Sequence, residues 1–177
     1  MERRAHTGHV WRSDRASAAY PLRELYSQRV RLEGLILKPN MVLPGSTCAT
    51  QENVDEIADA TVECLLRAVP AAVPGVAFLS GGQSGELASA RLNAMNVRFK
   101  TRLPWALAFS YGRAIQEPAL QIWHGDQHNV GAAQEALYHR AKCDRAARLG
   151  QYDAMLESDH RPGALPELSS LVHAVAS

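Results

Sequence analysis

The chain has little of what marks a specialised class. Its three cysteines, Cys48, Cys64 and Cys143, are odd in number and widely spread. They form no CxxC pair, which argues against both a zinc ribbon and a disulfide framework and favours a reducing, cytoplasmic setting. Aromatic residues make up 6% and do not interleave with basic ones, so base stacking on nucleic acid finds no platform. No run approaches the roughly eighteen apolar residues that a membrane-spanning helix needs. Charge of neither sign prevails: 19 Lys and Arg face 18 Asp and Glu, for a net charge of +1. No global field therefore draws the protein to nucleic acid or to an anionic membrane. Internal repeats and low-complexity blocks are also lacking.

What is present fits one ordinary globular domain of 177 residues. Residues 1–20, "MERRAHTGHVWRSDRASAAY", have no clear period and no apolar core of a secretory signal. They are read as a leader, and residues 157–177, broken by prolines and a glycine, as a mobile tail. The body is expected at residues 21–156.

Within it, 21–29 has helical spacing, and "VRLEGLILK" reads as a strand apolar on both faces in its second half, as a buried parallel strand is. An amphipathic helix follows, with Val54, Ile57, Ala58, Thr61, Val62, Leu65 and Leu66 on one face and Thr50 as its expected cap. Two more apolar runs, 75–80 and 104–110, each lead to a helix, near 85–95 and from about Ile115. A long helical pattern from Asn129 carries Val130, Ala133, Leu137 and Ala141 on one stripe and stops near Gly150. Strand and helix thus alternate three times. That order predicts an α/β fold of parallel βα units, either part of a barrel or a small open sheet. The strands are expected at Arg31–Lys38, Val76–Ser80 and Trp105–Ser110.

Each expected strand ends in distinctive residues: Lys38, then Ser80-Gly81-Gly82-Gln83-Ser84, then Ser110-Tyr111-Gly112-Arg113. Carboxyl ends of strands form the active face in barrels and open α/β sheets alike. Glycines let backbone N–H groups approach an anion, and an arginine fork matches phosphate oxygens. His124 and His128 lie four apart, but Gly125 stands between them and no HExxH pattern accompanies them, so no metal site is read there. His139 and Cys143 share a helical face, read as packing or solvated surface. No metal and no cofactor is expected.

"LEGLILKPNMVLPG", "VAFLSGGQSGELASARLNAMN" and "PWALAFSYGRAIQEPALQIWHGDQHNVGAAQEALYHRA" together closely resemble class I fructose-bisphosphate aldolase, over roughly Leu22 to Leu156. SGGQS and YGR speak against transaldolase, another Schiff-base barrel. The resemblance implies a partial TIM (β/α)8 barrel, with three parallel βα units plus a C-terminal helix. It implies that Lys38 is the Schiff-base lysine and that Ser80, Gly81, Gly112 and Arg113 hold a substrate phosphate. It further implies a sugar-phosphate substrate, a glycolytic role in the cytoplasm and a homo-oligomer, the family's tetramer, when the barrel is whole. The aspartate, further lysines and glutamate pair that move protons in the full enzyme belong to about five preceding βα units without counterparts here. The expected activity is therefore Schiff-base cleavage of fructose 1,6-bisphosphate, impaired in this chain. The alternative is a non-catalytic phosphate-binding or subunit-interaction remnant. A lysine attacks a ketone only when unprotonated, and full burial lowers a lysine pKa by up to ~3–5 units. The apolar run before Lys38 is read as supplying that burial.

Overall fold

A computed structural model describes residues 21–45, 48 and 53–158. A helix over residues 21–27 (α1) leads into a single 3-10 turn at Leu32–Gly34 and the strand Ile36–Leu37 (β1). Then follow α2 (Val54–Ala68), β2 (Gly75–Phe78), α3 (Gly85–Arg98), β3 (Ala106–Phe109), α4 (Arg113–Trp123), α5 (Val130–Arg148) and α6 (Met155–Ser158). The three strands are parallel in the order β1-β2-β3, so the expected βα units are present.

The register explains which side chains face the helices. Rows Leu37–Val76–Leu107 and Phe78–Phe109 alternate with rows Ile36–Gly75–Ala106 and Ala77–Ala108. Val76, Phe78 and Leu107 belong to one core with Ile57, Val62 and Leu65 of α2 and Ala88, Leu92 and Met95 of α3, while Leu37 and Phe109 pack against it. Burying a side chain such as Phe78 or Leu92 contributes about 1.5–3 kcal/mol. The other rows are small or open, and Ile36 is 60% exposed. The strands are thus covered chiefly on one face, which corrects the reading of β1 as buried on both.

β1 is also far shorter than expected. Its pairing places Leu35 opposite Pro74, which has no N–H to give, and Pro39 closes the other end for the same reason. Thr50 lies outside the described residues; the helix there starts at Val54, capped by Asn53 in a capping box with Glu56. In α5 the buried face is Ala133, Ala136, Arg140, Cys143, Asp144 and Ala147, whereas Leu137 is exposed. The expected stripe is rotated because Arg140 and Asp144 satisfy each other's neighbourhood inside the protein and so can be buried there. Gly150, with φ of +70°, ends the helix as expected.

Candidate functional site

Three loops leave the carboxyl edge of the sheet side by side. The loop after β1 is tied to the loop after β2 by Leu79 N–H donating to Pro39 O at 3.0 Å. Gly81 takes φ of +60°, and a Cβ there would lie 2.8 Å from Asn40 Cγ. Only glycine meets both conditions, the left-handed backbone and the close approach. Gln83 then spans the two loops, its amide donating to Ser80 O at 2.8 Å and reaching Met41 Sδ at 3.7 Å. Arg91 of α3 in turn donates to Gln83 Oε1 at 2.8 Å. Deeper down, Val42 N–H donates to the buried Thr61 hydroxyl at 3.0 Å, fixing the first loop to α2. The third loop is held by Ser110 N–H donating to Phe78 O at 2.8 Å and by the Tyr111 hydroxyl donating to Ala88 O at 3.0 Å. Burial pushes the Tyr111 phenol well above its ordinary pKa, with Asp144 adding to the effect, so it stays a neutral donor.

All five residues expected in the site lie along this edge. Ser80 continues the helix-facing parity of Val76 and Phe78 and is buried. Gly112 and Arg113 open α4, both exposed. Gly112 offers no side-chain cap, and no acidic residue sits in the first turn of α4. By contrast, α2 and α3 have Asn53 and Ser84 as caps and acidic first turns. The N–H groups that begin any helix need partners, and at α4 a cation and a bare cap leave them suited to an anion.

Lys38 corrects the expectation attached to it. It follows Leu37 and shares parity with Ile36, on the uncovered face, and it is exposed. The apolar run before it does not enclose it: alternate side chains of a strand point to opposite faces, and only Leu35 and Leu37 turn towards the core. Asn40, Gln83, Arg91 and Tyr111 are the residues that tie these loops together. All four lie inside the quoted motifs, and Gln83 and Tyr111 stand among the distinctive strand-end residues; the loop-tying role of Asn40 and Arg91 depends on contacts that only the fold shows.

A second polar cluster lies away from this edge, between α3, α5 and α6. Arg140 donates to both oxygens of Glu157, at 2.7 and 2.9 Å, and to Ser89 Oγ at 2.8 Å. Ser89 donates onward to Asp144 Oδ1 at 2.6 Å, and Tyr152 to Glu157 Oε1 at 2.7 Å. Burial would raise the Glu157 carboxyl, but the Arg140 and Tyr152 hydrogen bonds hold it below its ordinary pKa. Asp144 is pushed up to about 6 by burial, against the Ser89 bond and Arg140. Burial likewise pushes the Cys143 thiol up to about 11. His124 and His128 join no such cluster; His128 Nδ1 pairs with Asp126 at 2.8 Å on the surface.

Residues 14–165 match the model of the glycolytic family "fructose-bisphosphate aldolase class-I". The chain belongs to the class I fructose-bisphosphate aldolases. It is 54% identical over 129 residues to human fructose-bisphosphate aldolase C, covering 73% of this chain and 35% of that protein. It is 52% identical over 134 residues to the cytosolic fructose-bisphosphate aldolase 4 of Arabidopsis thaliana, covering 75% and 34%. The solved fructose-bisphosphate aldolase of Plasmodium falciparum, in complex with TRAP and a small-molecule inhibitor, superposes with a TM-score of 0.79 at 40% identity. That superposition covers 84% of this chain and 42% of that one. The three-stranded sheet thus resembles part of the aldolase TIM barrel, and the chain spans less than half the length of these relatives.

Proposed function

We propose that this chain carries the imine lysine and the phosphate cradle of a class I fructose-bisphosphate aldolase, a cytoplasmic lyase of glycolysis. The observation that carries the reading is the shared edge. Parallel β1, β2 and β3, taken in sequence order, set the Lys38, Ser80-Gly81 and Gly112-Arg113 loops next to one another. Ser80, the Gly81 and Gly112 backbone and the Arg113 guanidinium bind a phosphate of the sugar. Lys38 Nζ attacks the substrate ketone and, with loss of water, forms a protonated imine. As the C4 hydroxyl gives its proton to a base, the C3–C4 bond breaks, and the imine takes up the released electron pair, leaving an enamine on the lysine and releasing glyceraldehyde 3-phosphate. Protonation and hydrolysis of the enamine return dihydroxyacetone phosphate and the free amine. The partners are sugar phosphates and further copies of the subunit. Among the described residues no helix is long and apolar enough to cross a membrane.

Turnover depends on the rest of the barrel, because general acid–base groups contribute typically ~10²–10⁴-fold and, among the described residues, Lys38 forms no ion pair with an acidic group. The exposure of Lys38 favours the second reading for the isolated chain, a phosphate-binding part that does not turn over. Binding of dihydroxyacetone phosphate tests the cradle: Arg113→Ala removes a bidentate, charge-assisted contact and weakens binding by roughly 1.5–3 kcal/mol. Equal calorimetric affinity of wild type and Arg113→Ala would refute the cradle.

A further inference from the structure

The α5–α6 corner holds three different donor atoms around one point. His139 Nε2 lies 3.7 Å from Cys143 Sγ and 3.7 Å from Glu157 Oε2. The three donors fall within 4.8 Å of one another. His139 and Cys143 are four apart on α5, so one rigid helix turn presents imidazole and sulfur together. Cys143 is buried, and His139 and Glu157 are largely so.

We propose that His139, Cys143 and Glu157 form a binding site for a borderline-soft divalent cation, zinc foremost. Nitrogen, sulfur and carboxylate oxygen are the ligand types zinc takes, and three protein ligands with an open fourth position is a usual set. A tetrahedral zinc, with Zn–S about 2.3 Å and Zn–N or Zn–O about 2.0 Å, sets its donors roughly 3.3–3.5 Å apart. Two of the three edges of the triangle already come within a few tenths of an ångström of that. The third needs a shift of roughly 1.3 Å at most.

The surroundings suit the ion in one respect and oppose it in another. Tyr152 and Arg140 both donate to Glu157 Oε1, orienting the carboxylate as outer hydrogen bonds orient metal ligands. Arg140 Nη1 also donates to Oε2, so the ion shares that oxygen with a guanidinium or displaces it. Arg140 keeps Ser89 and Oε1 in either case. The Cys143 thiol binds as thiolate, releasing its proton to water. The site thus selects a cation that binds sulfur, and magnesium and calcium are excluded.

Cobalt(II), added to the full chain, is the probe, because a thiolate ligand gives a near-ultraviolet charge-transfer band. The proposal expects one equivalent bound per chain, the band displaced by zinc, and a melting temperature raised by zinc. Cys143→Ser abolishes the band, and His139→Gln and Glu157→Gln each weaken binding by at least ~10-fold, the lower bound for disturbing a ligand set. Cys48→Ser and Cys64→Ser keep the band, which separates this site from a thiol elsewhere without touching the α5–α6 packing. The proposal is overturned if wild type shows no band or if the band survives Cys143→Ser. It is equally overturned if His139→Gln and Glu157→Gln bind as wild type does, since the thiol would then act without its two partners.

Discussion

At the carboxyl edge of the sheet, Lys38 and Arg113 stand exposed, and among the described residues neither forms an ion pair. Twenty-seven residues beyond Arg113, Arg140 is almost wholly buried, clamped by Glu157 and Ser89 over an Asp144 with no exposed surface. Burial raises proton affinities in the second region at Asp144, Cys143 and Tyr152, while hydrogen bonds hold Glu157 below its ordinary value; at the strand edge burial raises Tyr111 as well. Displaced pKa values are often used to find active sites; here most of them mark an inter-helix tie. The strand-end face holds its charges by backbone geometry, through glycines and loop-to-loop hydrogen bonds. The helix layer holds its charges by pairing them. The first arrangement leaves cations open to a ligand, and the second uses them up.

The comparison breaks most sharply under substitution. Arg140→Met strands Glu157 and Asp144 in a buried setting, and breaking such a pair costs about 3–5 kcal/mol. Lys38→Met at the exposed strand end changes stability by no more than ~0.5 kcal/mol. Urea unfolding of the two variants checks the contrast; similar losses would erase the distinction between the regions.

Asp144 sharpens it through pH. Its folded pKa of about 6 lies above the ordinary 3.8 of an aspartate, so its neutral form favours the fold. That contribution is fully present below about pH 4, is lost as pH rises through 6, and totals roughly 3 kcal/mol. Asp144→Asn keeps an acceptor for Ser89 and removes the titration. Its stability relative to wild type should therefore grow between pH 4 and 6 and then level off. A constant difference across that range, read by thermal melts, would show that Asp144 does not titrate as its burial demands.

Gly81→Ala probes the other side. It forces a side chain into the left-handed region and against Asn40, at a cost of about 1–3 kcal/mol. It should also weaken dihydroxyacetone phosphate binding, since the Gly81 N–H moves with the loop. Gly82 also has positive φ, so alanine is strained there too, but nothing crowds its Cβ; Gly82→Ala should therefore weaken binding less than Gly81→Ala. Equal effects at the two glycines would mean that the approach to Asn40 does not shape the loop.

The strand–helix alternation, the parallel order and the residues at the strand ends were legible in the sequence, because each apolar run stops at a motif built of Gly, Ser or Arg. The exposure of Lys38 was not. A run such as Leu35-Ile36-Leu37 reads as two-sided, yet whether both sides are covered depends on what packs against them, and Ile36 is 60% exposed. The α5 face was misread for a related reason. Apolar periodicity points to Leu137, while Arg140 and Asp144 are buried because Ser89 and Glu157, far away in sequence, meet them. Such pairings carry no local signal.

The central claim is that the shared strand edge, and not burial, sets Lys38 apart from the chain's other lysines, Lys100 and Lys142. Borohydride reduction in the presence of dihydroxyacetone phosphate, followed by mass spectrometry of tryptic peptides, reads this directly. A phosphate held by Ser80, Gly81, Gly112 and Arg113 places the ketone beside Lys38 and raises its effective concentration there. The adduct should therefore fall on Lys38, and in Arg113→Ala it should drop towards the level at Lys100. Labelling spread evenly over the three lysines, or Lys38 labelling unmoved by Arg113→Ala, would contradict the account.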